Sequence, residues 1–326
     1  MLESPFLQEQ ITACTTQVGQ PKLAIKRIES FLIPLPPQSE QSRIANAIDS
    51  VVSLIAQYST LETAREELDA ELPNRLRKSI LQMAVQGKLV PQDANDESAS
   101  ALLERIRERR RHLMAEGKIK APKGGESVIY RGSDGGYYEK RIDAKGCESE
   151  PVCINDEIPF EIPDSWEWSR LGSLASFGGG GTPDKNNPKY WSGNIPWASM
   201  KDIHGQYLES TIDSITPEGL RSKKSISICN PGQLIVSTRL IPGKTIISKI
   251  KCAINQDLKV VNSLLSSSYL SVWFESYSDR FKQLGMGTTV PGIKLIDLES
   301  ALIPLPPEYE QNRIISKLNN LFQIIH

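Results

Sequence analysis

The sequence predicts an α/β protein, a mixed α/β domain combined with long coiled-coil-type helices, and three observations predict it. A block of 17 residues occurs twice, as Ile28–Ile44 and Leu298–Ile314, with 12 identities across a spacing of 270 positions. Each copy, centred on Ile-Pro-Leu-Pro-Pro, runs into apolar residues spaced by threes and fours, the mark of a helix with one narrow apolar face. Between the copies lie short β-rich pieces, "QLIVSTRL", "KTIISKI" and "LKVVNSLL", and one helical piece, "SSYLSVWFESYSDRFKQL". A solenoid repeats every ~20–50 residues. The longer spacing here belongs to a large module present once in full, with the tail of another before it and the head of another after it.

Composition narrows the class. The 326 residues suffice for about two domains, and no apolar run approaches the ~18 residues of a membrane span. No basic-then-apolar leader opens the chain. Five scattered cysteines (Cys14, Cys147, Cys153, Cys229, Cys252) without a C-x-x-C pair, and only three histidines, point to free thiols in a reducing cytoplasm and away from a metal site. Net charge is −1, but residues 166–305 hold 15 Lys+Arg against 11 Asp+Glu, net +4, while the rest hold 23 against 28, net −5. That bias is compatible with a nucleic-acid partner.

Taken in order, residues 1–33 end a first module, and residues 34–116 form a long-helix region. Pro34, Pro36 and Pro37 force extended backbone, and Pro37 then suits the first turn of a helix, with Glu40 in its positive end. The stripe Ile44, Ile48, Val51, Ile55, Tyr58, Leu61 and Leu68 asks for a partner helix along its length. Pro73 should kink or restart the helix, Gly87 should stop it, and a second start falls at Asn95–Ser98, running to Gly117. The run Arg105, Arg107, Arg109, Arg110 and Arg111 in that second helix reads either as phosphate contacts or as a solvated face salt-bridged to nearby acids. Residues 117–159, rich in Gly, Lys, Ser and Glu, read as a linker or surface loops with one hairpin. A mixed α/β domain occupies 160–305, with Trp166 and Trp168 at the edge of its core. The next long helix opens at 306–326, with Ile314, Leu318, Leu321 and Ile325 on one side. Helices that begin alike on either side of one domain could pair as a rod.

Several motifs invite a chemical reading. The run Gly178–Gly181 lacks the following Gly-Lys-Ser/Thr of a P-loop. "NPKY" at 187–190 resembles the Asn-Pro-Pro-Tyr motif of adenine-amino methyltransferases, but only five residues separate it from the glycines, too few for the intervening strand and helices. The glycines read either as a flexible loop or as a place where backbone approaches DNA, with Lys185, Lys189 and Tyr190 close behind. Trp191 and Trp197 suit a core better than a stacking platform. Arg239 and Lys244 flank a hairpin turn at Pro242-Gly243, and Arg239 reads as a guanine fork or as half of an ion pair. Asn255 and Gln256 read as strand caps or adenine readers. No Ser/His/Asp order exists, and His204 stands alone, so no catalytic residue is assigned.

The residues then carry a resemblance. "IPLPPxxEQxRI" opening a long helix, "LRKSILQMAVQGKLVPQDANDESASALLERI" after it, "EIPFEIPDSWEWSRLGSL", "GGGTPDKNNPKYWSGNIPWASMKDI" and "GTTVPGI" resemble the specificity subunits of Type I restriction–modification systems. The likeness spans almost the whole chain, with the motifs in the expected order. It implies a DNA specificity subunit whose target-recognition domain, 160–305, reads half of a bipartite site. The implied DNA-binding set is Lys185, Lys189, Tyr190, Lys201, Arg239, Lys244, Asn255, Gln256, Thr288 and Thr289. Paired long helices would space two such domains and dock a methylation subunit. S-adenosylmethionine, ATP and Mg would be bound by methylation and restriction subunits, and none by this chain. Such a family carries two recognition domains; here 1–33 would be the remnant of a first and 306–326 the start of the distal helix. The chain then reads as a half-subunit that pairs with a second copy, or as a truncated coiled-coil adaptor or silent recombination cassette without DNA readout. An adenine methyltransferase is the remaining alternative.

Overall fold

The computed structural model describes residues 3–15, 23–117, 119, 122, 124–143, 145–285 and 292–325. Two units divide the chain, Met1–Glu71 and Leu72–His326. The first opens with a helix, Pro5–Cys14, and a short helical turn, Ile25–Ile28. Residues 31–37, with three prolines, form no helix or strand, and the helix Gln38–Val85 starts directly after Pro37. The Gln41 side chain donates to the Pro36 carbonyl at 2.8 Å, and the Gln41 amide to that of Pro37 at 3.0 Å, satisfying groups at the helix start. The predicted stripe Ile44, Ile48, Val51, Ile55, Tyr58, Leu61 and Leu68 is exposed along it.

Of the two expectations for Pro73, a kink or a restart, the restart does not occur; the chain continues helical to Val85, at the cost of one backbone hydrogen bond. Gly87 ends it as expected. Its φ of +70° lets Lys88 N–H reach the Met83 carbonyl at 3.0 Å, and a Cβ there would sit 2.5 Å from the Pro163 ring. The next helix, Ala99–Ala115, is capped by Ser98. Three of its five arginines take the salt-bridged reading. Arg105 pairs with Glu97 and Glu308, Arg107 with Glu104 and Glu126, and Arg111 with Glu104. Arg110 donates to the Gly172 carbonyl at 3.0 Å.

The stretch 117–159 is more than a linker with one hairpin. Strands Glu126–Arg131 and Tyr137–Ile142 pair antiparallel, and Val152–Cys153 adds a third. Ile129, Tyr137 and Ile154 bury against Trp168 and Leu302. These apolar letters come in runs of only two or three among glycines and charges, so which of them are core is visible only once the opposing surface is known. Arg170 locks this sheet down: it donates to Glu139 at 2.7 Å, to Glu157 at 2.7 Å and to the Ser300 carbonyl at 2.8 Å.

The three predicted strands form the heart of residues 160–305. Leu258–Ser263, Leu234–Ser237 and Thr245–Ser248 lie side by side, antiparallel, flanked by Ala175–Gly178 and Tyr207–Leu208. Alternation sorts their faces. Leu234, Val236 and Val261 face the helix Ser267–Ser276 and its Tyr269, Leu270, Trp273 and Phe274; Ile235, Leu258 and Val260 face Ile254, Cys252 and Ala198. The latter group belongs to a second sheet ordered Asp213–Ile215, Trp191–Ala198, Cys252–Ile254, Ile228–Cys229. The predicted helical piece breaks at Tyr277 into Ser267–Ser276 and Ser278–Leu284. Finally Leu302–Leu305 pairs antiparallel with Glu167–Arg170, and the helix Glu308–Ile325 packs Ile314 and Leu318 into the core that holds Ala84, Val85 and Leu102. Among the described residues no helix is long and apolar enough to cross a membrane.

Glu139 makes this closure sensitive to acid. Burial opposes its ionisation, but hydrogen bonds and charge from Arg170 outweigh burial and hold its carboxyl below the ordinary 4.5. A lowered folded pKa stabilises the fold above the unfolded value, and the gain is lost as pH falls through the folded one. Glu139→Gln should therefore cost ~1–3 kcal/mol near neutral pH and make unfolding less pH-dependent in the acid range. Urea melts of both proteins at neutral pH and in the acid range measure this.

Candidate nucleic-acid interface

The glycine run is packed, not loose. Gly178 pairs with Val260, Gly179 accepts from the Ser227 amide at 2.8 Å, and the Gly181 amide donates to Ile254 at 3.0 Å. A Cβ on Gly180 would stand 1.7 Å from the Asn255 carbonyl oxygen, so only glycine lets these two backbones touch. Trp197, buried as expected, donates its indole N–H to the Gly181 carbonyl at 3.1 Å and packs edge-on against Trp191. The run thereby fixes Thr182, whose hydroxyl donates to the Gln256 side chain.

Asp257 gathers the next residues. Arg239 pairs with it at 3.3 Å, and the Asn255 and Gln256 amides donate to its carboxylate at 3.1 and 3.3 Å. The Asn255 side-chain Oδ1 in turn accepts from the Asp257 backbone N–H at 3.0 Å. Asn255 is buried with both ends of its side chain so engaged, which is the capping role of its two readings. Gln256 is exposed. Arg239 takes the ion-pair reading, yet half its side chain remains exposed (51%), leaving guanidinium N–H groups open to solvent. Burial, partly offset by Asp257, pulls the nearby Lys259 ammonium below its ordinary value.

The hairpin that carries Arg239 is well anchored at its base and open at its tip. Ser237 N–H donates to Lys244 at 2.8 Å, and the Gly243 amide to Ser237 at 2.9 Å. Gly243, at φ +83°, lies where a Cβ would meet the Phe281 ring at 2.5 Å. Leu240 is held at φ +68°, a conformation costly for a side chain with a Cβ, and both Leu240 and Ile241 are exposed. The structure thus joins Thr182, Arg239, Lys244, Asn255 and Gln256 through hydrogen bonds and one hairpin.

Lys185, Lys189 and Tyr190 lie on the loop before the strand Trp191–Ala198, pinned where Trp191 donates to Asp184 at 3.0 Å and Thr216 to the Lys189 carbonyl at 2.8 Å. Lys201 stands apart on the turn Met200–Asp202, which Ser199 and Asp202 cap reciprocally. Thr288 and Thr289 lie outside the described residues. The sequence reading missed Asp257, Thr182 and the Leu240–Ile241 tip. It also missed the exposed run Arg221, Lys223 and Lys224; Lys223 reaches Gly181, and none of the three is ion-paired among the described residues. "RSKKS" gave a signal of charge but not of what that charge lies beside. Among the described residues no three His, Cys, Asp or Glu side chains group as metal ligands.

A polar, partly cationic edge on a rigid mixed α/β frame, flanked by helices that begin with one repeated block, matches a known family. Residues 4–64 and 163–326 match the Type I restriction modification DNA specificity domain, and the chain belongs to that family. Among its relatives are two Escherichia coli proteins. It is 29% identical over 375 residues to the specificity subunit of Type I restriction enzyme EcoAI, covering 98% of this chain and 58% of that one. The EcoEI specificity subunit is 26% identical over 383 residues, covering 99% and 59%. The chain therefore spans under two thirds of their length. The crystal structure of the HsdS subunit from Thermoanaerobacter tengcongensis aligns with a TM-score of 0.42 at 18% identity, covering 99% of this chain and 60% of that one.

Replacing Gly180 by alanine should force the strand ends at Gly181 and Asn255 apart and destabilise the chain by ~1–3 kcal/mol. Chemical denaturation gives the loss, and a shift in Trp197 fluorescence on the folded protein would place it at this edge.

Proposed function

We propose that the chain serves DNA sequence specificity in a Type I restriction–modification complex. Residues 160–305 would read one half of a bipartite site, and the exposed stripe Ile44–Leu68 would dock a methylation subunit. Its relatives are named as specificity subunits of Type I restriction enzymes, which supports this reading. The single observation that carries it here is the Arg239 hairpin. A carboxylate holds one side of a half-exposed guanidinium, so the remaining donors are pre-oriented for the two acceptors of guanine. Beside it, Leu240 and Ile241 offer apolar contact suited to a thymine methyl, and Thr182 and Gln256 offer hydrogen bonds. Lys185, Lys189, Lys223 and Lys224 would contact phosphate and set register without reading sequence.

On this reading the chain performs no chemistry and sits in the cytoplasm. S-adenosylmethionine, ATP and Mg would belong to the methylation and restriction subunits. A complex with the methylation subunit that forms but shows no sequence preference would favour the adaptor reading instead.

Arg239→Ala should weaken binding of cognate duplex by ~1–3 kcal/mol more than binding of random duplex, whereas Lys223→Ala should weaken both alike and reduce the salt dependence. Equal losses at Arg239 would assign it to phosphate. The target itself comes from mapping methylated adenine in a restriction-free host that expresses the chain with its neighbouring methylation subunit. A gapped palindrome is the outcome for two copies acting as half-subunits, and no methylation despite a stable complex would remove the DNA-reading role.

A further inference from the structure

Two of the five cysteines face each other inside the fold. Cys229 and Cys252 are direct partners in the antiparallel ladder between Ile228–Cys229 and Cys252–Ile254, and both are 0% exposed. Residues opposite one another in such a ladder point to the same face, with Cα atoms roughly 4.5–5.5 Å apart, inside the ~4.4–6.8 Å that a disulfide spans. The two thiols are hydrogen-bonded to each other, and the Ser248 hydroxyl lies 3.8 Å from the Cys252 sulfur. A bond between the sulfurs therefore asks for little backbone movement. Among the described residues no other two cysteines are matched in register: Cys147 and Cys153 are exposed, and Cys153 stands opposite Tyr138.

The pair also has a way to meet solvent. Ile228–Cys229 is an edge strand of two residues, joined in its sheet to Cys252–Ile254 alone among the described residues. It runs into the turn Asn230–Gln233, where Asn230, Pro231 and Gly232 are exposed, and the Cys229 sulfur lies 3.6 Å from the Asn230 carbonyl oxygen. So short an edge opens locally far more cheaply than the sheet behind it. Packing alone asks for two small apolar groups here, and thiols in contact add a chemistry that packing does not use. The hydrogen bond from Cys229 holds the Cys252 thiol below its ordinary value against burial, while that bond and burial push Cys229 up. Cys252 is thus the thiol that ionises first and attacks.

We propose that Cys229 and Cys252 form an oxidisable dithiol, a modification site for hydroperoxides. The Cys252 thiolate attacks the peroxide: an S–O bond forms, the O–O bond breaks, and the departing oxygen takes up the proton that Cys252 released. The Cys229 sulfur then attacks Cys252; the S–S bond forms, the S–O bond breaks, and water leaves with the Cys229 proton. Two thiols and one hydrogen peroxide give one disulfide and two waters, the sulfurs losing two electrons to the peroxide. The bond staples the strand that follows Ser227 to the strand that precedes Asn255. Ser227 donates to the Gly179 carbonyl and the Asn255 carbonyl lies against Gly180, so the staple holds the glycine run from both sides. The inference rests on strand register and is independent of the DNA reading.

The first test uses the unaltered full chain. After exposure to hydrogen peroxide and removal of the excess with catalase, remaining thiols are alkylated in denaturant and the chain is digested with trypsin without reduction. Cleavage after Lys224, Arg239, Lys251 and Lys259 puts each cysteine in its own peptide. The expected main product is these two peptides joined, lighter by two hydrogens than their sum. In urea, where no register selects partners, links should scatter over all the cysteines. Amide exchange on the oxidised chain should slow at least ~10-fold at Cys229 and across Cys252–Asn255, and return to the parent rate on adding dithiothreitol. Cys229 and Cys252 thiols that stay alkylable in the peroxide-treated folded chain overturn the proposal, as does a link that leaves those amides unchanged. The order of attack is read with dimedone, which traps sulfenic acids. Cys229→Ala should accumulate label at Cys252, and Cys252→Ala should leave Cys229 unlabelled. Label at Cys229 alone overturns the assigned nucleophile, and the experiments on the unaltered chain decide the proposal even where a variant fails to fold.

Discussion

The antiparallel pair Glu167–Arg170 and Leu302–Leu305 is the constraint on which the larger unit depends, because it joins the first strand of residues 160–305 to their last. Closing so long a loop costs little more than closing a short one, since the entropy grows only with the logarithm of length. The return is concentrated at the junction. Trp166, just before one strand, and Trp168 within it bury there, Ile303 and Leu305 from the other strand, and each such side chain is worth ~1.5–3 kcal/mol on burial. Pro304 is tolerated in the strand because, among the described residues, this sheet has two members and needs no second ladder at that position. Its carbonyl is not wasted, since the buried Tyr269 hydroxyl donates to it.

Polar groups at the junction then recruit everything around it. Arg170 reaches forward to the Ser300 carbonyl and back to Glu139 and Glu157, tying the small sheet of 126–153 to the closure. Glu310, which burial pushes above its ordinary value while Trp166 and Gln92 partly offset it, ties the start of the last helix to the segment after Gly87. A buried carboxyl with two donors is costly to misplace. Register here is fixed by chemistry as well as by shape.

Much of this was legible in the sequence, for definable reasons. The long helices, the stop at Gly87, the strand trio and the buried tryptophans follow from periodicity, turn residues and apolar bulk, all local signals. The three-stranded sheet in 117–159 was not legible, since Ile129 and Tyr137 are core residues only because Trp168 and Leu302, distant in sequence, lie against them. Of the two outcomes expected at Pro73, a kink or a restart, the restart does not occur: the helical preference of residues on both sides outweighs one missing hydrogen bond. At the candidate site, Arg239 and Gln256 could be named from the sequence, but Asp257, which joins them, could not. A carboxylate's role as a hub is a property of distance, and no spacing along the chain encodes it.

The arrangement separates what holds the fold from what would touch a ligand. Gly180, Trp197, Asp257 and Phe281 set the edge from beneath, buried or nearly so, while Gln256, Leu240, Ile241 and the lysines beside them are exposed. Exposed substitutions away from such anchors typically change stability by less than ~0.5 kcal/mol. The anchored positions are costly to change because their neighbours are packed backbone or ring atoms. A surface built this way can exchange its contacting side chains without disturbing the strand pairing that closes the unit. That independence is what a module requires when one frame must present different chemistries to different partners.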